Sequence, residues 1–413
     1  MKISLYTLTS SLHDKNAVDA VSIDFIESVE RALGFKMDFA GDDFSTYGKS
    51  DLDLIFVRTG GSEGLFKKVY DKLDGDVLLL TSGKSNSLAA SLEILSFLNQ
   101  EGRKGEMLHG GVEYIARRIE ILAKVSKARR QLCGQKLGII GEPSDWLISS
   151  RADKDAVKRK LGLELVDIPI NELIEEASKD QDINVSNKHQ EIISGLRKDA
   201  PEIIKQYVDG AIKIYGGMKS IVDKYGLSGL TVRCFDLLST LGNTGCFALA
   251  LLNAEGIPAG CEGDVPALLS MAIGNALTGQ CGFQSNPSQI DPVLGQILLA
   301  HCTVPFNMAC NWSYNTHFES GIGVAVHGEL PEGDATVFKV SGDLSRAFCE
   351  EASLMENRYG DNLCRTQILL QFASPSVCSG YFLTNPIGNH HIVFAGKQKE
   401  LFSAFTKSMA VAK

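Results

Sequence analysis

The feature that most constrains this chain is a short apolar run closed by glycine and followed by a helix-period stretch, a pattern that runs twice along the sequence. Lys2 to Thr7 reads as a strand, and Val18, Val21, Phe25, Val29 and Leu33 then share one helical face that stops at Gly34. Leu52 to Val57 closes at Gly60-Gly61 and Val77 to Leu80 closes at Gly83, each ahead of another helical pattern. Strands alternating with helices at this spacing build βαβ units and a parallel sheet. An amphipathic helix, about Val112 to Leu132, connects to the second round, its Arg and Lys forming a solvated face. Leu137 to Gly141 then reads as a strand, followed by a helix to Leu161, a strand at Glu164 to Ile168 and a long helical stretch over about Ser186 to Tyr225. A strand at Leu230 to Cys234, a helix over about Thr244 to Ala254 and a strand at Ile257 to Cys261 complete the round.

After about residue 265 the texture changes. A helix at Val265 to Leu277 precedes strand-like runs such as Gly321 to Val326, a Pro331-Glu332-Gly333-Asp334 turn, Thr336 to Val340, and a final helix over about Lys399 to Ala410. Such alternation with turn residues between runs indicates antiparallel hairpins. With 413 residues the chain exceeds what one core serves. The expected fold is therefore α/β: two Rossmann-like α/β domains, residues 1–132 and 133–256, followed by a β-rich, barrel-like C-terminal domain, residues 257–413.

A net charge of −9 argues against nucleic acid as a partner, since phosphate-binding proteins carry basic patches. No apolar stretch approaches the roughly 20 residues that a membrane-spanning helix needs. The first residues pass into polar sequence at Ser10 to Lys15, too soon for the apolar segment of a signal peptide. Ten cysteines without a Cys-x-x-Cys pair fit reduced thiols, mostly small buried apolar residues. Together these predict a cytoplasmic protein.

Two apparent motifs fail. Val77 to Ser85 leads from a strand into Gly83-Lys84-Ser85, but the first glycine of a phosphate loop is replaced by Leu78, so a strand-to-helix turn with Ser85 or Asn86 as N-cap is expected instead. Gly321-x-Gly323 lies inside a strand pattern rather than between strand and helix, which removes a dinucleotide reading. His317 and His327 read as hydrogen-bonded structural histidines, whereas His301 stays a candidate.

The informative stretch is Gly260-Cys261-Glu262-Gly263-Asp264, after a short strand and before a helix. Two carboxylates at the carboxyl end of a strand repel each other and are more stable beside a cation. Hard oxygen ligands suit Mn²⁺ or Mg²⁺. Capping of the following helix would account for Asp264 but not for Glu262. Asp236 ends the neighbouring strand, where it reads equally as a turn cap or as a third carboxylate of the same site. Gly388-Asn389-His390-His391-Ile392-Val393 places paired histidines at the head of a strand, one imidazole serving as ligand or proton carrier.

Leu252 to Asp264 resembles the strand–helix junction of L-fucose isomerase-like proteins, and Asn389 to Phe394 resembles the C-terminal histidine segment of fucose and arabinose isomerases; the likeness runs from about residue 228 to 410. The resemblance implies a fucose isomerase-like fold and a Mn²⁺, or Mg²⁺ or another divalent cation, held by two acidic side chains and a histidine. By position, Asp264 matches the acidic ligand at the start of the C-terminal domain, His390 the histidine ligand, and Asp236 falls near the other carboxylate. Arabinose isomerases instead place a Glu in the region of Glu262 and add a second histidine, for which His301 is the candidate. The resemblance also implies a homo-oligomer, a trimer or hexamer, whose first domain completes a neighbour's site. On that logic Trp146, Thr59-Gly60-Gly61 and Asn86 are candidates for a sugar pocket.

The implied activity is an aldose–ketose isomerisation of a monosaccharide through an ene-diol, in carbohydrate metabolism. Proton transfer between C1 and C2 needs a base near that carbon and positive charge at the oxygens. Asp236, Asp264 and Glu262 divide the roles of ligand and proton shuttle, His390 fixes the metal, and Asn389, His391, His301, Arg365 and Trp146 face the sugar. Two alternatives stand beside this: a non-catalytic or regulatory sugar-binding protein on the same fold, which needs no divalent ion, and a metal-dependent lyase or isomerase acting on a modified sugar.

Overall fold

The computed structural model describes residues 2–179 and 187–409, which form two compact units, residues 2–127 and 128–409. In the first, strands β1 (Ile3–Leu8), β2 (Asp38–Gly41), β3 (Leu52–Val57), β4 (Val77–Leu80) and β5 (Gly105–Leu108) form a wholly parallel sheet in the order β2-β1-β3-β4-β5. Helices α1 (Lys15–Leu33), α2 (Glu63–Val69) and α3 (Ser87–Gln100) lie in crossovers between its strands, and α4 (Val112–Leu132) follows β5. Leu5, Leu54 and Leu80 pack with Val29, Ile115 and Ile119, while Tyr6, Ile55 and Leu79 pack with Phe66, Ile94 and Leu98. Burial on both faces is why these strands read as unbroken apolar runs. Asp14 caps α1 by accepting from the Ala17 N–H at 2.8 Å, and Gly34 ends it with φ +75°. Asn86 stands at the N-cap of α3 in a left-handed conformation, φ +57°, but its side chain makes no capping bond.

The second unit contains a four-stranded parallel sheet, order β7-β6-β8-β9, from β6 (Lys136–Ile140), β7 (Glu164–Ile168), β8 (Gly229–Val232) and β9 (Ala259–Gly260). Its helices are α5 (Lys154–Leu161), α6 (Ile170–Ala177), α7 (Asn187–Asp199), α8 (Val208–Tyr225), α9 (Asp236–Leu241), α10 (Cys246–Ala254) and α11 (Val265–Thr278). The helical stretch expected over 186–225 is interrupted at Ala200-Pro201, where proline cannot donate to the helix ladder, and passes through a 3₁₀ turn, Glu202–Tyr207; Ser186 lies outside the described residues.

The remaining strands are β10 (Phe283–Asp291), β11 (Gln296–His301), β12 (Asn311–Asn315), β13 (Ala325–Glu329), β14 (Gly333–Val340), β15 (Ala347–Arg358), β16 (Thr366–Phe372) and β17 (His391–Ala395), followed by α12 (Lys399–Met409). Six of them close an antiparallel barrel, β10-β11-β16-β15-β14-β17, so that no edge is left unpaired, and β12 and β13 form a separate hairpin. The strand expected at 321–326 begins only at Ala325, because Gly321 and Gly323 take φ of +68° and +74°. The proposed end of the last helix at Ala410 lies outside the described residues. One continuous core joins sheet and barrel, with Leu230, Val232 and Leu249 in the same cluster as Phe283, Ile297, Val337 and Val393. Helix α11 lies close against β17: a Cβ on Gly274 would meet the Phe394 ring at 2.0 Å. The chain is thus mixed α/β, with parallel sheets and a closed barrel of six antiparallel strands. Among the described residues, no helix is long and apolar enough to cross a membrane.

Candidate metal centre

The site is built on the turn that leaves β9. Asn253 grips this short strand from α10, donating to the Ala259 carbonyl and accepting from its N–H, both at 2.8 Å. Gln284 of β10 accepts from the Cys261 N–H at 2.8 Å, so a barrel strand fixes the turn. Glu262 is held in a left-handed conformation, φ +62°, which few non-glycine residues adopt, and its carbonyl accepts from the Ser144 N–H at 2.9 Å. Gly263 follows at φ +70°, and a Cβ there would lie 2.6 Å from the Glu142 carbonyl oxygen. Asp264 then caps α11, its Oδ1 accepting from the Ala267 N–H at 2.8 Å. Beneath the turn, the Cys234 and Cys261 sulfurs pack 3.0 Å apart.

Three barrel strands bring the other groups. His390 precedes β17, His301 ends β11, and Lys339 lies in β14. Asp264 Oδ2 is 2.8 Å from His390 Nδ1, which orients the ring with Nε2 toward Glu262 Oε1 at 3.5 Å. That distance is too long for a good hydrogen bond, and His390 Nε2 is a buried nitrogen without a hydrogen-bond partner. The His301 ring sits 5.5 Å from the His390 ring, and its Nδ1 is engaged by Thr303 Oγ1 at 2.9 Å. Ligand atoms of Glu262, His301 and His390 all fall within 4.8 Å of one another, and all three residues are buried. An ordered carboxylate–imidazole pair behind Nε2, beside a second imidazole and a carboxylate oxygen, is a donor set that could hold a divalent transition metal. The residues present fit such an ion.

The charges are mutually dependent. Burial pulls the His390 imidazole down, but Asp264 and Glu262 outweigh it and hold it at about 9. Burial opposes ionisation of Glu262, yet its interactions with His390 dominate and bring it to about 2. Asp264 is likewise held well below the usual carboxylate range, by Lys339 and His390 against complete burial. Burial and the neighbouring His390 bring His301 down to about 3, so it is neutral at ordinary pH.

Of the residues singled out from the sequence, Glu262, Asp264, His301 and His390 come together, with Trp146 at their rim. The Trp146 indole N–H donates to Glu262 Oε2 at 2.6 Å, while the ring is half exposed and meets Phe235 edge-on at 4.7 Å. Asp264 points both oxygens at His390 Nδ1, Lys339 and Ala267 rather than toward Glu262 and His301. Asp236 opens α9 in an ion pair with Arg233 at 3.1 Å and stands outside that group. His391 has both ring nitrogens engaged, by the Asn389 carbonyl and by Tyr381 Oη, each at 2.9 Å. Asn389 accepts from the His390 N–H and donates to Asn286. Arg365 donates to the Thr316 carbonyl at 2.8 Å and lies over the Phe318 ring. In the first unit, Thr59 Oγ1 accepts from the Ser10 N–H, and the Gly60 N–H donates to the Ser85 carbonyl beside Asn86.

Three contributors escaped the sequence reading. Lys339 had a legible signal, a charge inside the apolar run Val337-Phe338-Lys339-Val340. Gln284 carried none. Glu319 is a carboxyl raised above its ordinary value by partial burial and by the charge of Glu262, and only the fold places these two within electrostatic reach.

No family model matches the chain. It is 26% identical over 243 residues to the sulfoquinovose isomerase of Clostridium sp. (strain MSTE9), covering 55% of this chain and 52% of that protein. It is 25% identical over 238 residues to the sulfoquinovose isomerase of Priestia megaterium (strain ATCC 12872 / QMB1551), 55% of this chain and 51% of that one. The enzyme of the same name from Alkalicoccus urumqiensis matches at 22% over 270 residues, 62% of this chain and 59% of that one. The chain thus spans about half the length of the curated relatives it matches first. By name, these relatives are sugar isomerases.

Proposed function

We propose that this chain is an aldose–ketose isomerase of the sugar isomerase type, using a divalent cation, Mn²⁺ first, held by Glu262, His301 and His390. The observation that carries this reading is the buried, partnerless His390 Nε2 facing a carboxylate oxygen and a second imidazole. A polar atom so placed is costly unless something fills the gap. The names of the matched relatives support the reaction class and make sulfoquinovose the first sugar to try.

A cation held by Glu262, His301 and His390 would supply positive charge beside the sugar oxygens as the proton moves between C1 and C2. The chain's own residues do the rest. Glu262, His301 and His390 bind, with Asp264 fixing the His390 ring. Trp146 orients Glu262 and offers an exposed indole face for a sugar ring to rest on. Glu319, an exposed carboxyl raised above its ordinary value by partial desolvation and by the charge of Glu262, is the candidate for moving the proton between C1 and C2. This assignment departs from the fucose-isomerase match, which makes Asp264 and Asp236 the acidic ligands, and follows the arabinose-isomerase match in Glu262 and His301: here Asp264 stands behind the imidazole and Asp236 stays with Arg233.

The test is turnover of sulfoquinovose and a panel of unmodified aldoses, followed by NMR, before and after exhaustive chelation and again after Mn²⁺ is restored. Isomerisation that disappears on chelation and returns with Mn²⁺ is the expected result. Turnover that survives chelation overturns the metal-dependent mechanism. Sugar binding without turnover, unchanged by chelation, favours the non-catalytic sugar-binding role on the same scaffold.

A further inference from the structure

Lys339 is 1% exposed, one residue before the end of a barrel strand, where an aliphatic residue would cost nothing in desolvation. Its register is fixed, because the next residue, Val340, donates its N–H to Ser270 Oγ of α11 at 3.0 Å. Its Nζ lies 3.4 and 3.3 Å from Asp264 Oδ1 and Oδ2. The Asp264 carboxylate is therefore held from three directions: the Ala267 N–H at Oδ1, His390 Nδ1 at Oδ2, and Lys339 across both oxygens. Without Lys339, only the helix cap and the imidazole restrain it. An ordinary N-cap aspartate needs only the first of these bonds, so the cap explains neither the lysine nor the imidazole contact.

We infer that Lys339 is a positioning residue, locking Asp264 so that its Oδ2 stays on His390 Nδ1 and the His390 ring keeps Nε2 aimed at Glu262 and His301. This rests on the reading of those three residues as a cation site. Among the described residues the lysine's hydrogen bonds and ion pair go to Asp264, so it acts on the three through that carboxylate. Burial pulls its ammonium down while Asp264 pulls it back up, and in either state Nζ donates to the carboxylate.

The experiment is Mn²⁺ affinity, read by electron paramagnetic resonance on the full chain, for wild type, Lys339→Met, Asp264→Asn and the double variant. The expected loss for Lys339→Met is about 10- to 100-fold, the range for groups that orient a ligand from behind. The double variant should bind no worse than Asp264→Asn, because the two losses share one route. Should Lys339→Met fail to fold, with a buried carboxylate left unpaired, the double variant removes both charges and still reports whether the losses overlap. Multiplied losses in the double variant, or wild-type affinity in Lys339→Met, overturn the inference while leaving the cation site standing. A wild-type chain that holds no Mn²⁺ sinks the cation reading itself, and the inference with it.

Discussion

Both units present the carboxyl edge of a parallel sheet, and the two edges are chemically opposite. In the first, the strand ends carry buried hydroxyls that satisfy their neighbours: Thr59 accepts from Ser10, Ser62 donates to the Thr59 carbonyl at 2.7 Å, and Thr81 donates to Ser87 at 2.7 Å. In the second, the ends of β8 and β9 meet Glu262, Asp264, His301, Lys339 and His390, all buried, with both carboxylates held ionised, His390 held protonated and His301 neutral. The source of the difference is the barrel. The β9 turn supplies the carboxylates, but β11, β14 and the entry to β17 supply the nitrogens that make burying them tolerable. A sheet edge provides a place for chemistry, and what packs over it provides the reagents.

The largest effect should come from taking a ligand away from the second edge. Glu262→Gln keeps the size and the indole contact but removes the charge, and Mn²⁺ affinity by calorimetry should fall by at least about 100-fold, beyond what groups behind a ligand give. Wild-type affinity in that variant would leave the second edge no more a cation site than the first.

The next effect is set by protons. With no ion bound, His390 is held at about 9, and a cation at Nε2 must displace its proton, whereas His301, at about 3, has none to lose. Protonation therefore competes below about pH 9: each unit of falling pH weakens apparent Mn²⁺ affinity about tenfold, so affinity should rise by about 100-fold from pH 6 to pH 8 and flatten above 9. Calorimetry in buffers of different ionisation enthalpy should show about one proton released per ion at pH 7. Affinity that is flat from pH 6 to 8 would remove His390 from the ligand set.

The same contrast explains what the sequence could tell. Three of the five strands of the first unit, β1, β3 and β4, were legible because they are buried on both faces and write their burial as unbroken apolar runs, whereas the half-exposed edge strands β2 and β5 left no such pattern. The β9 turn was legible too, since two acidic residues around a glycine after a strand admit few readings. The division of labour within it was not. Glu262 and Asp264 are two residues apart, and only the left-handed conformation at Glu262 decides that one faces His301 while the other turns back under His390. Asp236 shows the same limit: its place at a strand end was readable, its pairing with Arg233 was not. Pairings across the barrel, such as Lys339 with Asp264 over 75 positions of chain, leave no local pattern.

A smaller effect should follow at the rim. Trp146→Phe keeps the edge-on contact with Phe235 and removes the N–H that holds Glu262 Oε2. Because this indole is half exposed, water can take its place, and Mn²⁺ affinity should drop by only about 3- to 10-fold, at or below the low end for such supporting groups. A drop as deep as that of Glu262→Gln would make the tryptophan indispensable to the carboxylate's placement.

The smallest effect belongs to the first edge. Thr81→Val preserves shape but deletes the hydroxyl that donates to Ser87 and accepts from the Gly83 N–H at 3.3 Å. Ser87 Oγ is left in a fully buried position without that donor, so urea unfolding of the first unit should show a loss of about 1–2 kcal/mol. Mn²⁺ affinity should be unchanged, because the hydroxyls of this edge serve one another and the charges of the second edge are balanced within its own unit. A Thr81→Val chain that keeps its stability but loses Mn²⁺ would mean that the two edges are energetically coupled, and the contrast between a structural edge and a chemical one would have to be abandoned.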